Sequence, residues 1–274
     1  MMLKKKIDQQ LRERERERVG IVVPIHNSCE TVKRAIESIL LQTYDNYEVF
    51  LVDDHSTDDS FQICEDLIGD KPNFHLVKLQ TAHGAAEARN KALDMIYNAK
   101  YFDYVAFLDS DDYWLPKKLE SQIKFMKENG TSFSYGDYGI ANHSGIIAKY
   151  RKSPSKMTYL KMLLGCSVGC LTVMYTTKNT DKIKMPNLKK RNDYALWCLI
   201  LKELKCGYKY PGMLAVYDRG KDGLSSGKKI KLLKYHYHLH RDVNGLNPVL
   251  ACFLTFSNVC NYALNIFIRE KSIK

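Results

Sequence analysis

Before residue 116 this chain repeats one pattern three times: a short β-favouring apolar run, a polar turn, then a helix signal. The runs are Val19–Val23, Glu48–Val52 and Tyr104–Leu108. They stop at Pro24-Ile25-His26-Asn27, at Asp53-Asp54-His55-Ser56-Thr57-Asp58-Asp59 and at Asp109-Ser110-Asp111-Asp112. Apolar runs of this length suit buried strands. Strand, turn and helix in repetition predict an open parallel sheet, whose ligands bind beyond the carboxyl ends of the strands. After the first turn the apolar positions Val32, Ala35, Ile36 and Ile39 mark a helix. Ser56 with Asp59 three residues on is a capping-box pattern and predicts a helix start there.

The third turn carries the most chemistry. Asp109 and Asp111 are two residues apart, so an extended backbone sends both side chains to one side. Carboxylates that close repel unless a cation holds them, and magnesium or manganese takes one or two carboxylates plus substrate diphosphate oxygens. The competing reading is an acidic turn that caps the next helix, a role Asp112 also suits. Asp193 stays open in the same way. It is either the N-cap of a helix with the apolar stripe Trp197, Ile200, Leu201 and Leu204, or a reactive carboxylate.

Length and charge narrow the class. At 274 residues the chain can bury a substantial core as one domain with a small appendage. Its net charge of +11, from 42 Lys and Arg against 31 Asp and Glu, suits an anionic bilayer surface or phosphorylated substrates. No zinc spacing, RNP-like motif or helix-turn-helix supports a nucleic-acid partner. The eight cysteines form no C-x-x-C pair and several lie in apolar runs, which predicts reduced thiols and a cytoplasmic setting. Met1 to Arg18 has no apolar core of a signal peptide. Its alternating stretch Arg12–Arg18 sets opposite charges at i,i+3 against like charges at i,i+4, which predicts a solvated tail.

Several segments resemble family 2 of the nucleotide-sugar glycosyltransferases, with the GT-A fold. They are Val22–Asn27, Ser38–Tyr44, Val52–Asp58, Gly84 through Ala88-Arg89-Asn90, Leu108–Asp112 and, downstream, Lys190–Trp197. The resemblance implies an α/β fold: a Rossmann-like, mostly parallel central sheet flanked by helices, with a C-terminal helical amphipathic appendage. It divides the chain into a charged tail (1–18), a nucleotide-sugar-binding half (19–115), an acceptor and catalytic half (116–220), and a basic loop with membrane-associating helices (221–274).

The same resemblance assigns roles. Pro24, His26 and Asn27 approach the nucleotide base, with His26 where the family usually has Tyr. Asp54 accepts the uracil N3–H, favouring UDP over GDP, while Asp53 holds the turn. Arg89 reaches back to the nucleotide, where the residues alone give an exposed helical arginine. Asp109 and Ser110 contact the nucleotide sugar, and Asp111 with Asp109 holds Mn2+ or Mg2+. Asp193 is the general base of an inverting displacement, with Asn192 left as the cap. A helix N-terminus opposes that role by stabilising the ionised carboxylate. From the residues themselves, the glycine-rich stretch from Tyr217 to Lys229 reads either as a mobile loop whose Arg219 or Lys228 closes over the diphosphate or as a plain surface loop. The hexose pocket falls between Lys117 and Cys170, with Tyr135-Gly136-Asp137 and Gly169-Cys170 as its patterned segments. His236, His238 and His240 alternate, which on a helix does not gather three ligands on one face.

The nearest branch builds bacterial surface polysaccharides such as O-antigen, capsule or teichuronic acid. That implies transfer of one hexose, glucose or galactose, from a UDP-sugar to a lipid-diphosphate-linked saccharide at the cytoplasmic face of the inner membrane. Processive synthases resembling this family carry Gln-x-x-Arg-Trp, a context that neither Trp114 nor Trp197 has. Val249–Ile268 is apolar except for Thr255, Ser257, Asn258, Asn261 and Asn265. Its three Asn share one helical face, which predicts a helix lying in the membrane interface or packed on its own domain, while the five polar interruptions make the remaining alternative, spanning, costly. Two other readings stay open: a nucleotide-sugar-binding protein without catalysis, and a sugar-nucleotide-forming nucleotidyltransferase. The second expects a glycine-rich basic loop after the first strand, where Pro24-Ile25-His26-Asn27 stands.

Overall fold

In a computed structural model of the chain, residues 16–142, 145–218 and 229–272 are described. The side chains of 229–231 and 262–270 are not. The strands are β1 (Val19–Ile25), β2 (Tyr47–Asp53), β3 (Phe74–Lys78), β4 (Tyr104–Phe107), β5 (Tyr113–Trp114), β6 (Phe133–Ala141), β7 (Ile147–Arg151), β8 (Lys156–Thr158), β9 (Met174–Thr176), β10 (Cys206–Asp218) and β11 (Glu270–Ser272). The helices are α1 (Val32–Leu40), α2 (Ser60–Ile68), α3 (Ala85–Ala99), α4 (Lys118–Glu128), α5 (Tyr159–Leu164), α6 (Asn192–Leu204), α7 (Lys229–His238) and α8 (Pro248–Arg269). A short π-helical turn, Leu239–Val243, joins the last two.

One sheet runs β11-β7-β6-β9-β4-β1-β2-β3, with β10 alongside β6 and pairing also with β5 and β8. Strands β3, β2, β1 and β4 are mutually parallel. Beyond β4 the pairing turns antiparallel through β9, β6 and β7. The expected mostly parallel sheet is therefore parallel in its first half and mixed in its second. Strand β1 explains the helices on both faces. Val22 belongs to the core under α3 and α6, whereas Ile21, Val23 and Ile25 belong to the core under α1, α2 and α4. A strand buried on both sides must be covered twice.

Because β2 and β3 lie on one side of β1 and β4 on the other, the topology reverses between β1 and β4. An α/β sheet opens a crevice at such a point, at the carboxyl ends of the strands. Strand β4 then positions the site through packing. Fully buried Trp197 on α6 sets its ring edge-on to Phe107, with centroids 5.2 Å apart. Phe107 lies two residues before Asp109, and Trp197 one helical turn after Asp193. This contact therefore brings the acidic turn and the start of α6 together.

The charged tail departs from expectation at its described end. Arg16 pairs with Asp45 at 2.5 Å, Glu17 with Lys127 at 2.6 Å, and the Arg18 amide donates to Asp103 at 2.8 Å. Helix α2 begins at Ser60, later than the Ser56–Asp59 pattern predicts. The Ser56 hydroxyl is taken by the Asn27 amide at 3.0 Å, and Asp58 instead accepts from the Ser60 amide at 3.0 Å.

Candidate active site

The ends of β1 and β4 are tied across the crevice by a hydrogen bond of 2.7 Å between the Ser28 and Ser110 hydroxyls. Pro24 is buried in β1, while His26 and Asn27 emerge exposed. The His26 ring is held by Nδ1 against the Asp54 carbonyl at 2.9 Å. Asn27 turns left-handed at φ 48° and accepts the Thr57 amide on its side chain at 2.9 Å. Asp53 holds its own turn from inside, accepting the Ser56 amide at 3.1 Å. The Asp54 carboxylate is buried and accepts the amides of His83 and Gly84, each at 2.7 Å. Gly84 presents its amide from φ 94°, a conformation glycine takes without steric cost.

The acidic turn is not extended. The Asp112 amide donates to the Asp109 carbonyl at 3.1 Å, so the chain folds back and Asp109 and Asp111 do not leave on one side of a strand. Asp109 pairs with Arg89. Asp112 is no helix cap: it is buried and accepts the Asp218 amide at 3.1 Å, fixing the end of β10. Burial and the charges of Asp111 and Asp109 push its carboxyl well above the usual range. Desolvation within the cluster and the Asp109 carboxylate push Asp111 up to about 6. Arg34 reaches the same turn, donating to the Asp111 carbonyl at 2.9 Å and pairing with Asp218 at 2.6 Å.

Arg89 is not the exposed helical arginine that the residues alone suggest. It is 7% exposed and joins two parts of the site: one Nη meets Asp109, and the other donates to Asn192 Oδ1 at 3.3 Å. Asn192 is the first residue of α6, and its side chain also accepts the Asp193 amide at 2.8 Å. It caps from inside the helix. The residue at the formal cap position is Arg191, left-handed at φ 69°.

A cavity of about 320 Å³ gathers these pieces. Asp109 and Asp112 line it from the acidic turn, Asp193 and Arg191 from the start of α6, and Gly165–Leu171 from the segment after α5. His236 and Asn258 close it from α7 and α8. Asp111 lies outside this lining and is exposed. Of the two segments expected around the hexose, Gly169-Cys170 lines the cavity. Asp137 does not: it pairs with Lys209 at 3.1 Å and accepts the Ser153 amide at 2.8 Å. Arg219, Lys228 and most of the glycine-rich loop lie outside the described residues. Its first residue, Tyr217, lines the cavity.

Sequence reasoning missed the wall from α7 and α8. The alternating histidines part company: His236 faces the cavity, His238 pairs with Asp242 at 2.7 Å, and His240 meets the Asn258 amide at 3.1 Å. Burial, aided by the Arg191 charge, holds His236 down at about 3, and burial holds His240 at about 4. The folded state thus refuses protons that the unfolded chain accepts below about pH 6.5. Stability is complete above that pH and falls as pH drops, towards about 4 for His240 and about 3 for His236. The slope is up to ~1.4 kcal/mol per pH unit for each histidine. Thermal melts from pH 8 to 4 are expected to fall below pH 6.5. The fall should be shallower in a His236→Gln/His240→Gln variant; an equally steep one would remove the histidines from the account.

Acidic turn, crevice and α6 carboxylate together define a class, the GT-A transferases that act on nucleotide sugars. Residues 20–180 match the profile of Glycosyl transferase family 2, and the chain belongs to that family. It is similar to TuaG of Bacillus subtilis (strain 168), named as a teichuronic acid biosynthesis glycosyltransferase. They are 34% identical over 87% of this chain and 94% of that protein. It is 38% identical to the Escherichia coli UDP-Glc:alpha-D-GlcNAc-diphosphoundecaprenol beta-1,3-glucosyltransferase WfgD, over 77% of this chain and 80% of WfgD. Among solved structures, the fold is similar to S. aureus TarS in complex with UDP-GlcNAc. The TM-score is 0.67 at 22% identity, covering 88% of this chain and 70% of that one.

Proposed function

We propose that this protein is an inverting, metal-dependent glycosyltransferase. It moves one hexose from a UDP-sugar to a sugar hydroxyl of a lipid-diphosphate-linked saccharide in bacterial surface polysaccharide assembly. The observation that carries this reading is the single cavity shared by Asp109 of the acidic turn and Asp193 of α6. WfgD, by its name, takes UDP-Glc and a diphosphoundecaprenol-linked GlcNAc, which favours glucose as the sugar and a β-linked product.

The chain's own residues supply binding and proton transfer. His26 offers an exposed flat ring for the base, and Asp54 keeps spare acceptor capacity beside it. Asp193 takes the proton of the acceptor hydroxyl as that oxygen attacks the anomeric carbon. Arg89 neutralises Asp109 and holds Asn192, so the base and the acidic turn keep their separation. The donor set fits a hard cation. Asp109 and Asp111 offer carboxylate oxygens, and Asp111 is raised first by desolvation and then by the Asp109 charge, which a cation would relieve. Bound there with the substrate's phosphates, Mn2+ or Mg2+ supplies Lewis-acid stabilisation of the departing diphosphate. A panel of UDP- and GDP-sugars with manganese and a synthetic GlcNAc-diphospholipid tests the reading by nucleotide release and product mass. Absence of UDP binding would overturn it.

Helix α8 supports docking on an anionic bilayer. Two of its asparagines turn inward, Asn258 to the Leu163 carbonyl at 2.9 Å and Asn261 to that of Leu164 at 2.7 Å. Its apolar face turns outward, with Phe253 62% and Phe256 69% exposed. Exposed Lys161 and Arg241 stand on the elements packed against it. No described helix is long and apolar enough to cross a membrane. Full burial of a Phe is worth ~1.5–3 kcal/mol. Phe253→Ser/Phe256→Ser is therefore expected to cut sedimentation with phosphatidylglycerol vesicles at least tenfold; unchanged sedimentation would sink the docking surface.

A further inference from the structure

Two arginines line the cavity, Arg151 and Arg191, and the Arg151 guanidinium lies over the Tyr138 ring, 5.9 Å from its centroid. Arg89 is committed to Asp109 and Arg34 to Asp218. Arg191 makes no ion pair with any described residue, and its Nε is buried without a hydrogen-bond partner. Its backbone sits at φ 69°, ψ 22°. That left-handed conformation is unfavourable for a non-glycine residue and open to glycine. Helix α6 does not need an arginine there: the first turn is closed by Asn192 Oδ1 on the Asp193 amide and by the Arg191 carbonyl on the Ala195 amide. Local strain and an unpaired charge beside a cavity mark a side chain held for a ligand.

Resting on the function proposed above, we infer that Arg191 binds the diphosphate of the acceptor, and so fixes which saccharides reach Asp193. The two residues are two apart and line one cavity. An acceptor sugar linked directly to diphosphate, with its reacting hydroxyl at Asp193, carries its phosphates about one sugar ring away. The planar guanidinium suits a diphosphate, since its fork of N–H donors binds two oxygens at once. The donor's diphosphate belongs at the acidic turn, whereas Arg191 lines the cavity from the start of α6. Its charge acts on Cys166, Tyr194 and His236, whereas Asp111 feels Asp109, Arg89 and Asp218. That wall continues to Asn258 on α8, whose outer face carries Phe253 and Phe256. A lipid chain leaving the diphosphate on this side runs towards the membrane-docking surface.

The test compares two soluble ligands on the full chain with UDP and manganese present: decyl-diphospho-α-GlcNAc, and decyl α-GlcNAc without phosphate. Titration calorimetry should show wild type binding the diphosphate ligand at least tenfold more tightly. Arg191→Ala should erase that preference, and Arg191→Lys should restore part of it, while the Kd for UDP changes less than twofold. Arg191→Gly controls for folding. It relieves the left-handed strain, so its Tm should equal or exceed that of wild type while the preference is lost. With active donor and acceptor, the variants should raise acceptor KM at least tenfold and leave kcat within threefold. A preference that survives in Arg191→Ala, or is absent from wild type, overturns the inference and leaves the transferase reading standing. A tenfold loss of UDP affinity would move Arg191 to the donor and overturn it too. Failure of wild type to bind UDP would instead bring down the transferase reading itself, and this inference with it.

Discussion

Asp193→Asn is expected to lower kcat about a thousandfold, within the 10²–10⁴ range for a positioned general base. The exchange is isosteric, and the structure shows how little else it disturbs. Asn192 caps with its own side chain on the Asp193 amide, a bond the substitution leaves in place. Trp197 keeps α6 against Phe107 whatever residue stands at 193. The one structural loss is a negative charge in the first helical turn, worth ~0.3–1 kcal/mol, so Tm should fall by only a few degrees. Affinity for UDP should stay within twofold, because Asp193 lines a cavity whose walls do not include His26 or Asp54. Equal falls in kcat and kcat/KM would mark an interaction made only in the transition state. Near-wild-type turnover would remove Asp193 as the base. Wild type that binds a UDP-sugar but transfers nothing would favour the non-catalytic reading.

The first half of the sheet was legible because its signal is local. Strands β1, β2 and β4 each carry a short apolar run, and the turns after them hold the polar residues named from sequence; β3, whose run is broken by His75, was not read. The second half was not. Strands β8 and β9 have three residues each, too short for a period, and pair with partners distant in sequence. Arg89 shows the same limit within the site. A helical position predicts exposure, and only the surrounding Ala85, Ala86, Ala88 and Ala92 hint at close packing around a buried charge. Its partner Asp109 lies 20 residues on and Asn192 lies 103 on. The Ser56–Asp59 capping pattern failed because Ser56 was already engaged by Asn27 across the crevice. The asparagine stripe of α8 was visible as a stripe; the inward direction of Asn258 and Asn261 was not, since their acceptors are the last carbonyls of α5.

Asp111→Asn should separate stability from activity. Desolvation within the acidic cluster and the Asp109 carboxylate hold Asp111 at about 6, above the ordinary aspartate value. For an acid raised in the folded state the linkage runs opposite to that of the buried histidines. The folded protein holds the proton more tightly, so the group is harmless below about pH 4 and destabilising once ionised above pH 6. Removing the charge is therefore expected to raise Tm at pH 7.5 without added metal, and to leave it unchanged at pH 4. The same substitution removes a hard oxygen donor and should lower manganese-supported turnover at least a hundredfold, with a weaker or absent Tm increase on adding manganese. Protons and metal compete for one carboxylate, so manganese affinity of wild type should weaken below pH 6 and this pH dependence should flatten in the variant. A stabilised protein that kept wild-type turnover would show that the acidic turn works through Asp109 alone. Loss of both stability and activity would mean that Asp111 holds the turn rather than serving the reaction. Together with Arg191→Gly, this variant tests at two separate places, the exposed acidic turn and the cavity wall at the start of α6, the same trade between an unfavourable residue in the folded state and its use on a charged ligand.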